Sequence, residues 1–173
     1  MAWRDATTPD DIRRMIAEDG FGDLIDGQMV AIPHGEKLIR ALAIAAEYGF
    51  FELVQELVRE GADPKQATEA LIAAAEADQV EVVRFLINAG VPVDSRCKMF
   101  GASALMHAAG SGAAKSVKML LESDADQHAT DKEGKSARGW AEMGLNSGHW
   151  EQMPMPPELN AGFCEVLAAL AKD

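Results

Sequence analysis

The feature that most constrains this chain is an internal repeat. An alanine-rich segment, residues 41–49, is followed by a Val/Leu-rich one, 53–63. The pattern returns at 70–78 with 82–90, and again at 103–112 with 117–121. A leucine marks the same place in each copy, at Leu42, Leu71 and Leu105, so the periods are 29 and 34 residues. A degenerate fourth copy opens at 131–137, from Asp131 to Ala137. Self-similarity at this period excludes an ordinary globular topology, because each unit is too small to bury an apolar face alone and must stack on its neighbours.

Each unit reads as two short antiparallel helices. The first is rich in alanine, which lets backbones approach closely. The second carries apolar residues at helical spacing, such as Val82, Val83, Leu86 and Ile87, and so presents one apolar stripe. Gly61 and Gly90 fall where the second helix should stop, the place for a left-handed cap. Asp124 holds that place in the third unit, a residue type that tolerates the conformation at some strain.

The pattern resembles the ankyrin repeat family. The run Asp131-Lys132-Glu133-Gly134-Lys135-Ser136-Ala137 is similar to that family's turn and helix start, and Leu120-Leu121-Glu122-Ser123-Asp124-Ala125-Asp126 to its second-helix ending. The resemblance covers residues 36–143 and extends loosely to both ends. It implies an all-α solenoid of about four to five helix pairs with atypical capping ends. One domain spans 1–173: an N-terminal cap at 1–35, repeats at 36–64, 65–97 and 98–130, and a degenerate last repeat at 131–173 interrupted by an insertion at 144–162. Departures are visible. The family's Thr-Pro-Leu-His helix start is absent from every copy, and His107 falls one residue late for the family's structural histidine. The connection at 64–68 is about four residues short, so its finger reduces to a turn, whereas that at 91–102 is full length. Arg138 and Gly139 stand where the last unit should be apolar.

The ends read as caps. Thr8 is a candidate N-cap, with Pro9 at the first helical position, Asp11 three residues after the cap, and Ile12, Met15 and Ile16 on one face. Residues 20–33 carry no clear pattern. Pro154, Pro156 and Pro157 argue against helix in the insertion, and residues 163–170 read as a closing helix.

Charge and composition limit the function. The chain of 173 residues has 16 basic and 28 acidic side chains, net −12. That counts against binding to nucleic acid or an anionic membrane, both of which require a cationic footprint. No apolar run approaches a membrane-spanning length of about 18 residues, and the first eight residues lack a basic stretch before an apolar core. Two cysteines, Cys97 and Cys164, are too few for a disulfide framework. A cytoplasmic, monomeric protein is expected.

No residue pattern carries catalysis. The four histidines lie far apart, none at metal-ligand spacing, so no cofactor and no metal are expected. Cys164 reads as a core residue of the last helix, and Cys97 as an exposed thiol in a finger, neither with a visible His or Asp partner. His107 reads as a packed or groove-facing residue. The run at 110–112 lacks the Lys-Ser/Thr of a phosphate loop and reads as a turn.

What remains is a recognition surface. By resemblance, the first helices and finger loops line a concave groove that binds another protein. The groove positions are Glu47, Tyr48, Glu76, Ala77, Gly110 and Ser111, with Met143 as a further candidate, and finger tips fall at Arg96, Lys98, Met99, Phe100, Lys132 and Glu133. Phe100 either reaches a partner or folds onto the next repeat. Trp140 and Trp150 either cover the last repeat or, for Trp150 above all, meet a partner. Residues 36–81 hold ten acidic and four basic residues, net −6, with Glu47 and Glu76 at equivalent positions of adjacent repeats. A basic partner would relieve carboxylates held side by side; a solvated acidic face is the plainer reading. The expected role is thus non-enzymatic protein binding. One alternative is an inhibitor or immunity protein that neutralises a basic enzyme or toxin. A second is an enzyme with its site in 144–162.

Overall fold

A computed structural model describes residues 7–17, 22–25, 28–31, 34–146 and 157–171. Its elements run in chain order: helix α1 (Pro9–Ala17), strands β1 (Gly22–Ile25) and β2 (Gln28–Ala31), then helices α2 (His34–Glu47), α3 (Phe51–Arg59), α4 (Thr68–Glu76), α5 (Val80–Asn88), α6 (Ala104–Ser111), α7 (Ala114–Glu122), α8 (Ala137–Asn146) and α9 (Pro157–Ala169). The expected helical solenoid forms. First helices stack on first helices in the order α2, α4, α6, α8, and second helices follow as α3, α5, α7, α9. One apolar core runs unbroken from Ile12 to Leu170.

Each of the first three helix pairs is closed by the same two turns. Between the paired helices sit Gly49, Asp78 and Gly112, with φ of +71°, +56° and +74°. Each lies seven residues after the repeated leucine. The amides that follow bond back over the left-handed residue, Phe50 N to Ala45 O, Gln79 N to Ala74 O and Ala113 N to Ala108 O, each at 2.9 Å. After the second helices, Gly61, Gly90 and Asp124 repeat the device at +108°, +104° and +62°, as the sequence led one to expect. Asp78 is a non-glycine residue in a region that disfavours a side chain. Its carboxylate has a task that glycine lacks: Oδ1 accepts the Ser116 amide of α7 at 2.8 Å, one repeat on.

Further bonds of the same reach tie unit to unit. Asp94 Oδ1 accepts Asp126 N at 3.0 Å, and Lys132 N donates to Phe100 O at 3.0 Å. The full-length fingers close through the antiparallel bridges Arg96–Ser103 and Thr130–Ser136. The short connection is a 3-10 turn, Pro64–Gln66, with Asp63 Oδ1 accepting Lys65 N.

The N-terminal helix is capped as its sequence suggests. Thr8 Oγ1 accepts Asp11 N at 3.2 Å and donates to Asp11 Oδ2 at 2.7 Å, while Ile12 and Met15 are fully buried. Arg13 holds Glu56 of α3 at 2.7 Å. The unreadable stretch contains a two-stranded antiparallel hairpin, Gly22 opposite Ala31 through Ile25 opposite Gln28. It is the one extended element added to a helical fold among the described residues.

The C-terminal end departs from expectation. Pro157 opens α9 instead of barring helix, because the first helical position needs no amide hydrogen. Helix therefore occupies both ends of the expected insertion, and residues 147–156 lie outside the described ones. Close packing of α9 requires glycine. A Cβ on Gly144 would strike Gly110 O and the Phe163 ring, and one on Gly162 would come within 2.5 Å of Gly112 O. Cys164, expected in the core, is exposed. Among the described side chains here, Phe163 and Val166 of α9 and Leu170 just after it are buried, a three-and-four spacing that turns position 164 outward.

Candidate functional site

Three first helices, α2, α4 and α6, supply side chains to one site on the stack. Glu47 ends α2, Glu76 ends α4, and His107 lies in the middle of α6. Between them is a shallow depression of about 360 Å³, walled by Glu47, Glu69, Glu76 and His107, with Ile72, Ala73 and Ala77 completing its lining. The register between repeats thus brings Glu47 and Glu76 to one site. Among the described residues, no cation lies within ion-pair distance of Glu47 or Glu69. Tyr48, beside Glu47, is 45% exposed and stacks on Phe50 with centroids 5.6 Å apart.

His107 joins this depression to the finger behind it. Its Nδ1 lies 3.5 Å from Glu76 Oε2. The bond to Glu76 raises the imidazole above its ordinary value, against the opposing effect of burial. Glu76 is lowered in turn, His107 being the main cause and burial opposing it. Trp140 of α8 covers the ring at 5.0 Å with a 44° tilt. Cys97, expected to be an exposed thiol without a partner, is buried; burial pushes its thiol up, but the influence of His107 and the backbone groups of Phe100 and Ala102 holds it below its ordinary value. The finger closes over it: Cys97 N donates to Ala102 O at 2.9 Å and Gly101 N to Cys97 O at 3.0 Å. Sequence spacing could not show the Glu76–His107 contact, since its two members come from helices that meet only in the stack.

The remaining expected positions divide by what their side chains do. Met99 is 74% exposed and Phe100 47%. Phe100 nevertheless stands edge-on to Trp140, centroids 6.4 Å apart, so it is both half open and folded onto the next repeat. Arg96 Nη1 donates to the carbonyls of Gly101 and Thr130, and Lys132 Nζ to those of Lys98 and Met99 at 2.7 and 3.2 Å. These two cations brace one finger against the next. Ser111 Oγ, half-buried, donates back to the carbonyls of His107 and Ala108. Trp150 lies outside the described residues, as does the middle of the stretch on which an enzymatic site was considered. Trp140 is partly buried and serves as cover for α6.

Comparison with known proteins settles the family. The family described as ankyrin repeats (3 copies) matches residues 42–131, just over half of the chain. The chain is an ankyrin repeat protein. The chain is 34% identical over 94 residues, 53% of its length, to the ankyrin repeat and KH domain-containing protein mask-1 of Caenorhabditis elegans. It is 32% identical over 142 residues, 78% of its length, to the E3 ubiquitin-protein ligase KEG of Arabidopsis thaliana. The chain spans only 4% and 8% of those two proteins. Ankyrin repeats generally mediate protein–protein interaction, and the family is typically non-enzymatic. No helix among the described residues is long and apolar enough to cross a membrane, and no group of three or more His, Cys, Asp or Glu among them could hold a metal ion.

Proposed function

We propose that this ankyrin stack binds a partner protein through its concave face, with a basic side chain entering the Glu47–Glu69–Glu76 depression and an apolar group meeting the Met99–Phe100 finger tip. The observation that carries the reading is three carboxylates around one depression with no cation paired to two of them. Crowded carboxylates repel, and a lysine or arginine from a partner relieves that repulsion while steering its approach. A depression of about 360 Å³ is wide enough for one such side chain. Met99, at 74% exposure, supplies apolar area of the kind found at interfaces. An inhibitor of a basic enzyme is the special case in which the entering residue belongs to that enzyme's site.

The test compares partners captured by the wild-type chain with those captured by the Glu47→Lys/Glu69→Lys/Glu76→Lys variant and by Met99→Ala/Phe100→Ala. Proteins retained by wild type and lost from both variants, with affinity falling as salt rises, support the reading. Identical capture by all three proteins overturns it.

A further inference from the structure

The wall of the acidic depression holds one side chain whose charge changes near neutral pH. His107 lines it from α6, and its Nδ1 lies 3.5 Å from Glu76 Oε2. The two partners are open to different degrees. The Glu76 side chain is 57% exposed and that of His107 17%, so a cation from solvent can reach the carboxylate while the imidazole meets it from within the stack. The ring is held in place. Trp140 covers it with centroids 5.0 Å apart, and the indole is itself fixed by the bond from Nε1 to Asp131 Oδ2 at 2.9 Å. With the ring fixed, what changes is its proton.

We propose that protonated His107 is a built-in competitor for the partner's basic side chain: it takes Glu76 for itself and puts a positive charge on the wall, so binding is tight at pH 8 and weakens as pH falls through the histidine range. The inference rests on the reading of the depression as the site of a basic side chain. Neutral His107 leaves Glu47, Glu69 and Glu76 open to an incoming lysine. The imidazolium engages one of the three and repels a second cation. Coupling of this kind is reciprocal, so the partner weakens the proton by the factor by which the proton weakens the partner. The surroundings favour a charged ring. The bond to Glu76 raises the imidazole above its ordinary value against the effect of burial, and the Trp140 face adds a cation–π attraction. Around the ring, α2 supplies Glu47, and α4 supplies Glu69 besides Glu76. Helix α6 carries no other charged residue. On α7, Lys115 lies 4.0 Å from Asp78, Lys118 is paired with Glu165 of α9, and Glu122 is exposed. On α8, Arg138 is paired with Glu142. The finger supplies the buried Cys97 and Arg96, whose guanidinium is held by the carbonyls of Gly101 and Thr130.

The probe is fluorescently labelled pentalysine amide, whose side-chain ammonium groups stay charged from pH 5.5 to 8. Its dissociation constant for the full chain is measured at low salt by fluorescence anisotropy across that range. In the wild type it should rise by about fivefold or more from pH 8 to pH 5.5, and by much less in His107→Gln. The other three histidines titrate in both proteins, so the difference between the profiles belongs to His107. A second readout needs no histidine variant. The imidazole of His107 is titrated by NMR in the wild type, where a saturating probe should lower its pH midpoint; in Glu76→Gln the midpoint should be lower without any probe. Parallel binding profiles of wild type and His107→Gln overturn the switch and leave the binding reading standing, as does a His107 midpoint that the saturating probe does not move. A probe that fails to bind at every pH, or that binds the Glu47→Lys/Glu69→Lys/Glu76→Lys variant equally well, overturns both.

Discussion

Trp140 Nε1 donates a 2.9 Å hydrogen bond to Asp131 Oδ2, nine residues earlier in the chain. The bond fixes the last finger to helix α8 and sets the indole over His107. The other carboxylate oxygen accepts the amides of Glu133 and Lys135, each at 2.9 Å. One aspartate thus shapes the finger and aims the ring that covers the neighbouring repeat.

The Lys135 amide, opposed by burial and helped by Trp140, holds the Asp131 carboxyl below its ordinary value of 3.8. A carboxylate lowered on folding contributes stability that is present above the unfolded value and lost as pH falls through the folded one. Asp131→Asn should therefore lower the melting temperature at pH 7 and flatten the loss of stability below about pH 4. Thermal melts from pH 2 to 7 check this, and parallel curves for the two proteins would contradict it.

The Glu76–His107 contact has a window of its own. His107 is raised from 6.5, so its contribution is complete below that pH and lost as pH rises through the folded value. Glu76 is lowered from 4.5, so its contribution is present above that pH and lost as pH falls. Both conditions hold between about pH 4.5 and 6.5, where the ion pair is fully formed. The difference in stability between wild type and Glu76→Gln should peak there and shrink by pH 8.5. Denaturant melts at three pH values measure it.

Helix α9 should be sensitive to one methyl group. Gly144→Ala places a Cβ against Gly110 O and the Phe163 ring, and overpacking of this kind costs on the order of 1–3 kcal/mol. Gly139→Ala is the control. Its Cβ would meet only Lys135 Cβ at an ordinary 3.6 Å, so the change should be neutral or stabilising by up to about 1 kcal/mol. Urea melts of the two variants should move in opposite directions or leave the control unmoved.

Charge reversal should act on encounter more than on contact. For a basic partner, Glu47→Lys with Glu76→Lys should slow association by roughly tenfold at low salt and flatten its salt dependence, since steering comes from the summed field. Arg96→Ala should leave that field's sign intact but loosen the finger. Faster amide exchange at Gly101 and Lys132 would show this. Surface-plasmon kinetics over a salt series separate the two effects.

The repeat, its helix pairs and the left-handed stops of its second helices were legible along the chain, because short-range rules set them. Leucines at 42, 71 and 105 marked the stacking faces, and Gly61, Gly90 and Asp124 marked the stops. Thr8 and Asp11 announced the first helix through a cap that needs no distant residue. Glu47 and Glu76 were brought to one depression by the same periodicity. Tertiary structure decided the rest. Cys97 turned inward and Cys164 outward because burial there depends on how a finger closes and on which face α9 docks. Arg96 and Lys132 became braces because each reaches a carbonyl one repeat away, Thr130 for Arg96 and Lys98 and Met99 for Lys132. The Glu76–His107 contact has no signature in sequence, since its members approach only once one repeat has stacked on the next. Local propensity determines a helix and its ends; which side chains meet across repeats is set by packing, and that distance is not written in any single segment.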